Sequence, residues 1–376
     1  MIMRLAVANG ISEIHVPQNG LMSTPAVSGY VRNLNKTNKD ACLGAIILTA
    51  SHNAGGPEND FGIKFNLKNG GPALEDFTNK TYELSLKISE YHTTEYDFSK
   101  VIDLGKKGTY TFTGIEGTDK KQLKVVVVDS TADYVQMMRE HFDFDKLKTL
   151  FQRKDFIFCF DGLSGISGPY AKAIFIEALG ASPKYIFGCD PLPDFGGGHP
   201  DPNLTYAKNL VKVMDIFKKA EAGTEIPDFG AACDGDADRN MILGKQFFVT
   251  PSDSLAVLAA NAGAFLKGKL SGVARSMPTS GAIDKVAQKL GLDCYETPTG
   301  WKFFGNLMDS GRINLCGEES FGTGSDHIRE KDGVWAILAW LSVLAEKNKG
   351  NEGKLITVEN IVTDFWKTFG RCYYSR

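Results

Sequence analysis

A serine and a histidine stand side by side after an apolar run, and this pair is the first candidate for chemistry in the chain. Ser51 and His52 follow residues 45–48, a run that predicts a strand buried in a covered sheet. Gly55 and Gly56 come next, and such glycines would let a phosphate approach the backbone closely. Ser51 is therefore a candidate nucleophile, although short motifs of this kind are common in ordinary strand-to-helix connections.

Three aspartates at alternate positions, Asp234, Asp236 and Asp238, form a second candidate site. Their carboxylates can converge on one point, where they should repel one another unless a cation such as Mg²⁺ or Ca²⁺ is present. An EF-hand is excluded, because Arg239 stands where that loop needs glycine and Lys245 where it needs glutamate. An aspartyl phosphatase-type loop, with Asp234 as the nucleophile and Asp236 as the acid, stays open, and so does a solvated acidic turn.

The serine and aspartate loops could complement each other. Mg²⁺ with few protein ligands prefers a phosphate in its shell, and a phosphorylated Ser51 would supply one. Arg239 could then hold a phosphate oxygen or orient a carboxylate. Lys64 lies in the strand-like residues 61–66, so it is either a lysine on a solvated strand face or an acid or base near the serine.

A third loop carries groups suited to a sugar. Glu318 and Ser320 are predicted to lie on the same side of an extended segment, where they could grip two adjacent hydroxyls, although a surface glutamate at a strand end is more common. Arg275-Ser276 and residues 299–302 and 327–331 add cations and hydroxyls in the same third of the chain. Trp301 is more often a core residue than a sugar platform.

Composition indicates an ordinary globular protein of two or three domains. The chain has 376 residues, a net charge of −3 and 43% apolar residues, which gives no electrostatic footprint for nucleic acid or an anionic membrane. Seven scattered cysteines form no CxxC pair and indicate free thiols in a reducing compartment. With no secretory signal and no apolar stretch long enough to span a bilayer, we expect a cytoplasmic protein.

Strand-like and helix-like segments alternate three times, which predicts an α/β protein with parallel or mixed sheets. All three candidate loops then lie at the carboxyl ends of strands, where such sheets build their sites. Further segment predictions are helices at 75–91, 132–150, 206–217, 333–347 and 358–369, and irregular surface at 100–121. Asp332 is the predicted N-cap of the fourth of these helices.

These motifs together resemble the phosphoglucomutase family of the α-D-phosphohexomutase superfamily, closely and across the whole chain. The glutamate pair before Ser320 is similar to the glucose-specific branch. The segments that carry the resemblance are residues 49–53, 60–66, 199–206, 234–239, 275–280, 296–302 and 316–322.

The resemblance implies a fold of consecutive α/β domains with mixed sheets around a central cleft, and it implies roles for single residues. Ser51 corresponds to the serine that carries the phosphoryl group and completes a site for one Mg²⁺ per chain. The other implied metal ligands are Asp234, Asp236 and Asp238. The implied catalytic residues beside Ser51 are His52, Lys64 and Arg239, and the implied substrate contacts are Arg275, Thr299, Gly300, Lys302, Glu318, Ser320 and Lys331.

The implied reaction interconverts glucose 1-phosphate and glucose 6-phosphate through glucose 1,6-bisphosphate, in a monomer that binds neither nucleic acid nor membrane. The chain departs from the family pattern at Ala54, where proline is usual, and at Ala237, where glycine is usual; we expect both changes to be tolerated. The pattern also extends beyond the chain at both ends, so we expect a fragment without the extreme N-terminus and the fourth, phosphate-binding domain. A catalytically weak or inactive phosphoprotein is therefore the alternative.

The expected domains follow from this comparison of patterns. Residues 1–150 would form an incomplete phosphoserine-loop domain, 151–248 the metal-binding domain and 249–368 the sugar-binding domain. Residues 369–376 would begin the linker to the fourth domain.

Overall fold

The computed structural model describes residues 1–39, 41–116 and 122–374. The chain divides into two compact units, one of Met1–Met22 with Ala73–Asp133 and one of Ser23–Pro72 with Tyr134–Arg376. The three-domain division predicted from the sequence stays a prediction.

Helices and strands alternate along most of the chain, as an α/β fold requires. The α-helices are α1 (Ile2–Ala8), α2 (Thr24–Thr37), α3 (Glu75–Ser85), α4 (Ala132–His141), α5 (Phe144–Phe151), α6 (Ser167–Ala171), α7 (Lys208–Val213), α8 (Pro251–Ala260), α9 (Ala282–Leu290), α10 (Trp301–Asp309), α11 (Gly333–Lys347) and α12 (Val358–Phe369). The strands are β1 (Glu13–Pro17), β2 (Gly44–Leu48), β3 (Ile63–Leu67), β4 (Gly108–Thr113), β5 (Gln122–Val128), β6 (Phe158–Asp161), β7 (Ile186–Phe187), β8 (Phe229–Cys233), β9 (Asn240–Gly244), β10 (Phe247–Phe248), β11 (Gly272–Ser276), β12 (Asp293–Thr297), β13 (Leu315–Gly317) and β14 (Thr323–Ser325).

The smaller unit is built on a three-stranded sheet in the order β1-β5-β4, with β1 parallel and β4 antiparallel to β5. Burial alternates along β5, so that Leu123, Val125 and Val127 point into the core with Val7 and Phe112. Such alternation is typical of a sheet with one solvated face. Helix α3 is exposed along its whole length and ends at Ser85, before the predicted end at residue 91.

The larger unit contains a five-stranded sheet in the order β10-β9-β8-β6-β7. Strand β6 runs parallel to both β7 and β8, while β8 turns back into the antiparallel strand β9. Because β7 and β8 lie on opposite sides of β6, the chain order reverses between β6 and β8. Ligands of α/β sheets bind at such a switch point, outside the carboxyl ends of the strands.

A second sheet of the larger unit has the order β12-β11-β13-β14, with β11 parallel to β12 and β13. Helix α11 is buried over Gly333–Ala345, and Asp332 caps it by accepting the N–H of Trp335, as predicted. Mixed sheets are thus present in both units, which confirms the predicted fold class. No helix among the described residues is both long enough and apolar enough to span a bilayer.

The predicted burial of the strand before the serine loop is wrong. Strand β2 pairs only with β3 among the described strands, and Ile46 and Leu48 are each 51% exposed. A two-stranded ribbon leaves one face open unless another layer covers it. The apolar run predicted the strand itself correctly, but it could not reveal that this sheet has only one covered face.

Several other segment predictions differ from the structure. The helix predicted at 132–150 is two helices, because Asp143 caps a new helix by accepting the N–H of Lys146. The helix predicted at 206–217 forms only over α7. Strand β4 lies in the segment predicted to be irregular, of which residues 117–121 lie outside the described residues.

Candidate active site

The three aspartates follow β8, which is buried at every residue. Asp234, Asp236 and Asp238 are themselves no more than 4% exposed, and one oxygen from each lies within 4.8 Å of the others. The alternate spacing therefore brings the carboxylates together, as predicted. The loop closes when Asp234 accepts the backbone N–H of Arg239 at 2.9 Å, with Ala237 in the left-handed region at φ = 66°.

The cluster divides into carboxylates with different charge environments. Burial and the two neighbouring aspartates raise the pKa of Asp234 well above its ordinary value. Burial alone would also raise the pKa of Asp236, but Lys64 and the hydroxyl of Thr24 lower it. Lys64 Nζ lies 3.0 Å from Asp236 Oδ2 and 3.5 Å from Asp238 Oδ2, so one cation partly compensates two carboxylates.

Buried oxygen atoms without a partner test whether the cluster suits a cation. Among the described residues, Asp234 Oδ2, Asp236 Oδ1 and both oxygens of Asp238 are buried and accept no hydrogen bond. A buried acceptor without a donor is costly, and hard oxygen ligands are those that Mg²⁺ prefers. The donor set therefore fits a magnesium ion.

Gly235 is the point at which the serine loop and the aspartate loop meet. A Cβ on Gly235 would collide with the backbone oxygen of Ser51 and would lie 3.0 Å from the Phe195 ring. The loop after β6 closes from the other side, because Ile166 N–H donates to the Gly235 oxygen at 3.0 Å. Only glycine lets three chain segments approach this closely at the switch point of the sheet.

Ser51 itself lies in a sharp turn at φ = 58°, with its N–H donating to Thr49 Oγ1 at 2.8 Å. His52 Nδ1 is 3.3 Å from Ser51 Oγ. Burial lowers the pKa of His52, and the positive charge of Arg239 lowers it further, so a neutral imidazole stands beside the hydroxyl. A neutral ring nitrogen at this distance can accept the hydroxyl proton.

Two lysines contact the cluster from different segments. Burial alone would lower the pKa of Lys64, but Asp236 and Asp238 raise it well above its ordinary value. Lys331 Nζ lies 3.4 Å from Asp238 Oδ1, and that carboxylate raises the pKa of Lys331 although burial opposes it. Both ammonium groups are therefore held protonated, which makes them donors in this arrangement.

Arg239 connects the aspartate loop with the third predicted loop. Its backbone forms an antiparallel bridge with Gly322, while its buried Nε has no partner among the described residues. The nearest carboxylate oxygen, Asp201 Oδ1, is 3.9 Å from Arg239 Nη1. Much of this guanidinium is thus available to an anion at the site.

The third loop is a turn between β13 and β14, not the extended segment predicted. Glu318 is 5% exposed, and its carboxylate accepts the backbone N–H of Gly300. Burial raises the pKa of Glu318, while Lys331 and that N–H oppose the rise only in part. Ser320 is half-buried in the same turn.

Three family models account for most of the chain. They describe alpha/beta/alpha domains I, II and III of phosphoglucomutase/phosphomannomutase, and they match residues 1–92, 132–246 and 251–369, respectively. The chain belongs to the phosphoglucomutase/phosphomannomutase family. Membership agrees with the resemblance drawn from the motifs.

Relatives in the phosphoglucomutase/phosphomannomutase family match the chain over its whole length. The chain is 63% identical to phosphoglucomutase-1 of Paramecium tetraurelia over 376 residues and 57% identical to a probable cytoplasmic phosphoglucomutase of Arabidopsis thaliana. All of this chain is covered in both cases, with 65% and 64% of the two relatives. The chain thus spans less than two thirds of the length of these relatives.

Solved structures of family members have the same fold. The open form of the exocytosis-sensitive phosphoprotein pp63/parafusin, a phosphoglucomutase from Paramecium, superposes with a TM-score of 0.95 at 62% identity, covering 98% of this chain and 64% of that one. A phosphomannomutase from Thermus thermophilus shares the fold at 23% identity and a TM-score of 0.69, covering 97% and 70% of the two chains.

Not every residue predicted from the family pattern is free to bind a substrate. The Arg275 guanidinium is already paired with Asp284 at 2.6 Å and with Glu296 at 2.7 Å. Thr299 is exposed, and Lys302 Nζ lies 5.5 Å from the centre of the Phe303 ring. Trp301 is buried, as predicted for a core residue. The substrate contacts expected of the first three residues stay predictions.

Other residues beside the cluster were not assigned a role from the sequence. Thr24 Oγ1 donates to Asp236 Oδ2 at 2.8 Å across 212 positions of the chain. Glu330 is buried, accepts Asn66 Nδ2 at 3.0 Å, and has its pKa raised by burial to about 7. His199 and Asp201 belong to a matching family segment, and each has a buried atom without a partner. Only that segment could have drawn attention to them.

Proposed function

We propose that this chain performs the chemistry of a phosphoglucomutase, the interconversion of glucose 1-phosphate and glucose 6-phosphate through a phosphoserine at Ser51. The observation that supports this most is the seating of the Ser51 backbone on Gly235, inside the cluster of three aspartates. A transferable phosphoryl group needs a nucleophile beside concentrated positive charge, and phosphoryl transfer depends mainly on such positioning and electrostatics.

The proposed reaction has two balanced halves. In the first, the bond between Ser51 Oγ and phosphorus breaks, and O6 of glucose 1-phosphate bonds to phosphorus, giving glucose 1,6-bisphosphate. O6 loses one proton and Ser51 Oγ gains one. After the bisphosphate has turned over in the site, its O1-linked phosphoryl group returns to Ser51, which restores the phosphoserine and releases glucose 6-phosphate.

Proton transfer is assigned to His52 and Lys64. Neutral His52, 3.3 Å from Ser51 Oγ, suits the serine end, where it takes the hydroxyl proton as Ser51 accepts phosphoryl. Protonated Lys64 suits the sugar end, where it gives its proton to the departing O1. The roles reverse in the other half-reaction.

Asp234, Asp236 and Asp238 would hold one Mg²⁺ with the phosphoryl group on Ser51. Once bound, that ion supplies Lewis-acid charge that stabilises the oxygens of the passing phosphoryl group. Arg239, with its unpartnered Nε, and Lys331 add positive charge from the protein itself.

The sugar is assigned to the turn that carries Glu318 and Ser320. Their carboxylate and hydroxyl would grip sugar hydroxyls that overlay after the bisphosphate has turned over, while Lys331 and the Gly300 backbone fix the orientation of Glu318. Thr299, Lys302 and Arg275 are proposed as outer contacts. We extend the proposal to a monomer in the cytoplasm that acts on sugar phosphates alone.

The experiment is a coupled mutase assay combined with intact-mass detection of phosphate on Ser51 after incubation with glucose 1,6-bisphosphate and Mg²⁺. Ser51→Ala should abolish both signals, because no other residue is assigned to carry the group. Ser310→Ala is the matched control, since Ser310 Oγ only donates to the Leu307 carbonyl on an exposed helix end. Activity that survives in Ser51→Ala would contradict the proposal.

The same experiment separates the proposal from the alternative of an inactive phosphoprotein. Phosphate on Ser51 without turnover of glucose 1-phosphate would favour the alternative. The absence of both in the unaltered chain would contradict the phosphoserine mechanism for this chain.

A further inference from the structure

The sugar turn, Glu318 to Gly322, is fixed at one end by a side chain that points away from Glu318's partners. Glu319 Oε2 accepts Ser276 Oγ at 3.0 Å and Thr279 Oγ1 at 3.1 Å. The Glu319 N–H donates to Thr279 Oγ1 at 2.9 Å. These hydroxyls lie at and just beyond the end of β11, which runs parallel to β13, so the carboxyl ends of neighbouring strands are tied together.

The other end of the sugar turn is fixed to the aspartate loop. The Phe321 oxygen accepts both the backbone N–H of Asn240 at 2.9 Å and its side-chain Nδ2 at 3.1 Å. Phe321 has φ = 68°, a left-handed conformation that is unfavourable for a bulky residue. Such strain persists only where the surroundings determine the backbone more strongly than local preference does.

We propose that Glu319, assisted by Asn240, is a positioning residue that holds the sugar turn in its strained form and thereby decides which hexose phosphate Glu318 and Ser320 accept. The proposal rests on the proposed function of this site. Glu319 does not need to touch the sugar, because its carboxylate already receives two hydroxyl groups that are almost completely buried.

The physical consequence follows from the two attachments. Without the Glu319 carboxylate, the Ser276 and Thr279 hydroxyls lose their acceptor and the turn keeps only the Asn240 end. Phe321 can then relax from its left-handed conformation, and Glu318 leaves the N–H of Gly300. A flexible carboxylate accepts hydroxyls in more than one arrangement, so affinity for the right sugar and discrimination against its epimers should fall together.

The test measures binding of glucose 6-phosphate and mannose 6-phosphate by calorimetry with the full chain and Mg²⁺. Glu319→Ala should weaken binding of glucose 6-phosphate about tenfold and narrow the ratio between the two sugars. Glu319→Gln should restore most of the difference, because its amide oxygen can accept the same hydroxyls. The Mg²⁺-induced rise in unfolding temperature should not change, since the aspartates are untouched.

Two further variants keep the test independent of folding failure. Thr279→Val removes the hydroxyl from the opposite side and should reproduce the loss of discrimination, while the double variant should cost little more than either single one. Glu346→Ala is the matched control, because Glu346 pairs only with Lys146 on the surface. Hydrogen exchange of amides 318–322 should quicken in Glu319→Ala and stay unchanged in Glu346→Ala.

The outcomes separate this inference from the proposed function. If the unaltered chain binds glucose 6-phosphate and Glu319→Ala binds both sugars in the same way, with unchanged exchange in the turn, the inference is overturned and the proposed function stands. If the unaltered chain binds neither sugar phosphate, the proposed function is overturned, and the selectivity assigned to Glu319 with it.

Discussion

The aspartate loop and the serine loop meet at Gly235, yet they have very different supports. The aspartate loop follows β8, a strand buried along its whole length in a five-stranded sheet. The serine loop follows β2, whose sheet has two strands and one open face. The comparison teaches that the electrostatic half of the site is fixed by the core, whereas the nucleophile is placed by contacts made at the site itself.

The largest expected effect comes from disturbing the contact between the two loops. Gly235→Ala would push a methyl group into the backbone oxygen of Ser51 and against Phe195. A displacement of about 1 Å at a reacting group costs about a hundredfold in rate, so phosphorylation of Ser51 should slow by at least about that factor. Gly263→Ala is the control, because nothing lies within 4 Å of the added methyl group. Equal rates in the two variants would contradict the importance of this contact.

The next effect belongs to the buried sheet alone. Burial raises the pKa of Asp161, at the end of β6, to about 6 from an ordinary 3.8. Between these values the folded protein keeps a proton that the unfolded chain has released. The free energy of unfolding should therefore fall as the pH rises through this window, by up to about 3 kcal/mol.

Denaturant titrations at several pH values would check this prediction. Asp161→Asn should remove this part of the pH dependence, whereas Asp145→Asn should not, because the Asp145 side chain is 96% exposed. An identical pH dependence in the unaltered chain and Asp161→Asn would contradict the raised pKa.

A smaller effect distinguishes stability from function within the aspartate loop. Asp234→Asn keeps an acceptor for the Arg239 N–H but removes one of three converging charges. In a chelating buffer the variant should be more stable by about 1–2 kcal/mol, because a buried charge without a partner is unfavourable. Thermal unfolding with added Mg²⁺ should stabilise the unaltered chain but not the variant. A variant that is less stable than the unaltered chain in the chelator would show that the repulsion has been overestimated.

The smallest effect concerns backbone strain in the same loop. Ala237 has φ = 66°, where the family pattern has glycine. Ala237→Gly should relieve the left-handed strain and, after the added freedom of the unfolded chain, raise the free energy of unfolding by about 0.5–1 kcal/mol. Chemical denaturation would measure it, and a loss of stability would contradict the assigned strain.

Sequence reasoning succeeded where the information is local. The alternate spacing of the aspartates predicted their convergence, and Asp332 with the apolar run after it predicted α11 with its observed bounds. It failed where a second segment decides the outcome. No local pattern reveals that Thr24 reaches Asp236, that Arg275 has two carboxylate partners, or that β2 has an open face.

Free thiols give each side of the site its own reporter. Cys233, the last residue of β8, is fully buried, and burial raises the pKa of its thiol well above the ordinary value. Cys42, just before β2, is only half-buried. Alkylating reagents should therefore modify Cys42 in the native protein and reach Cys233 only when the large sheet opens. A single labelling time course read by peptide mass would then report the local opening of the two loop supports separately.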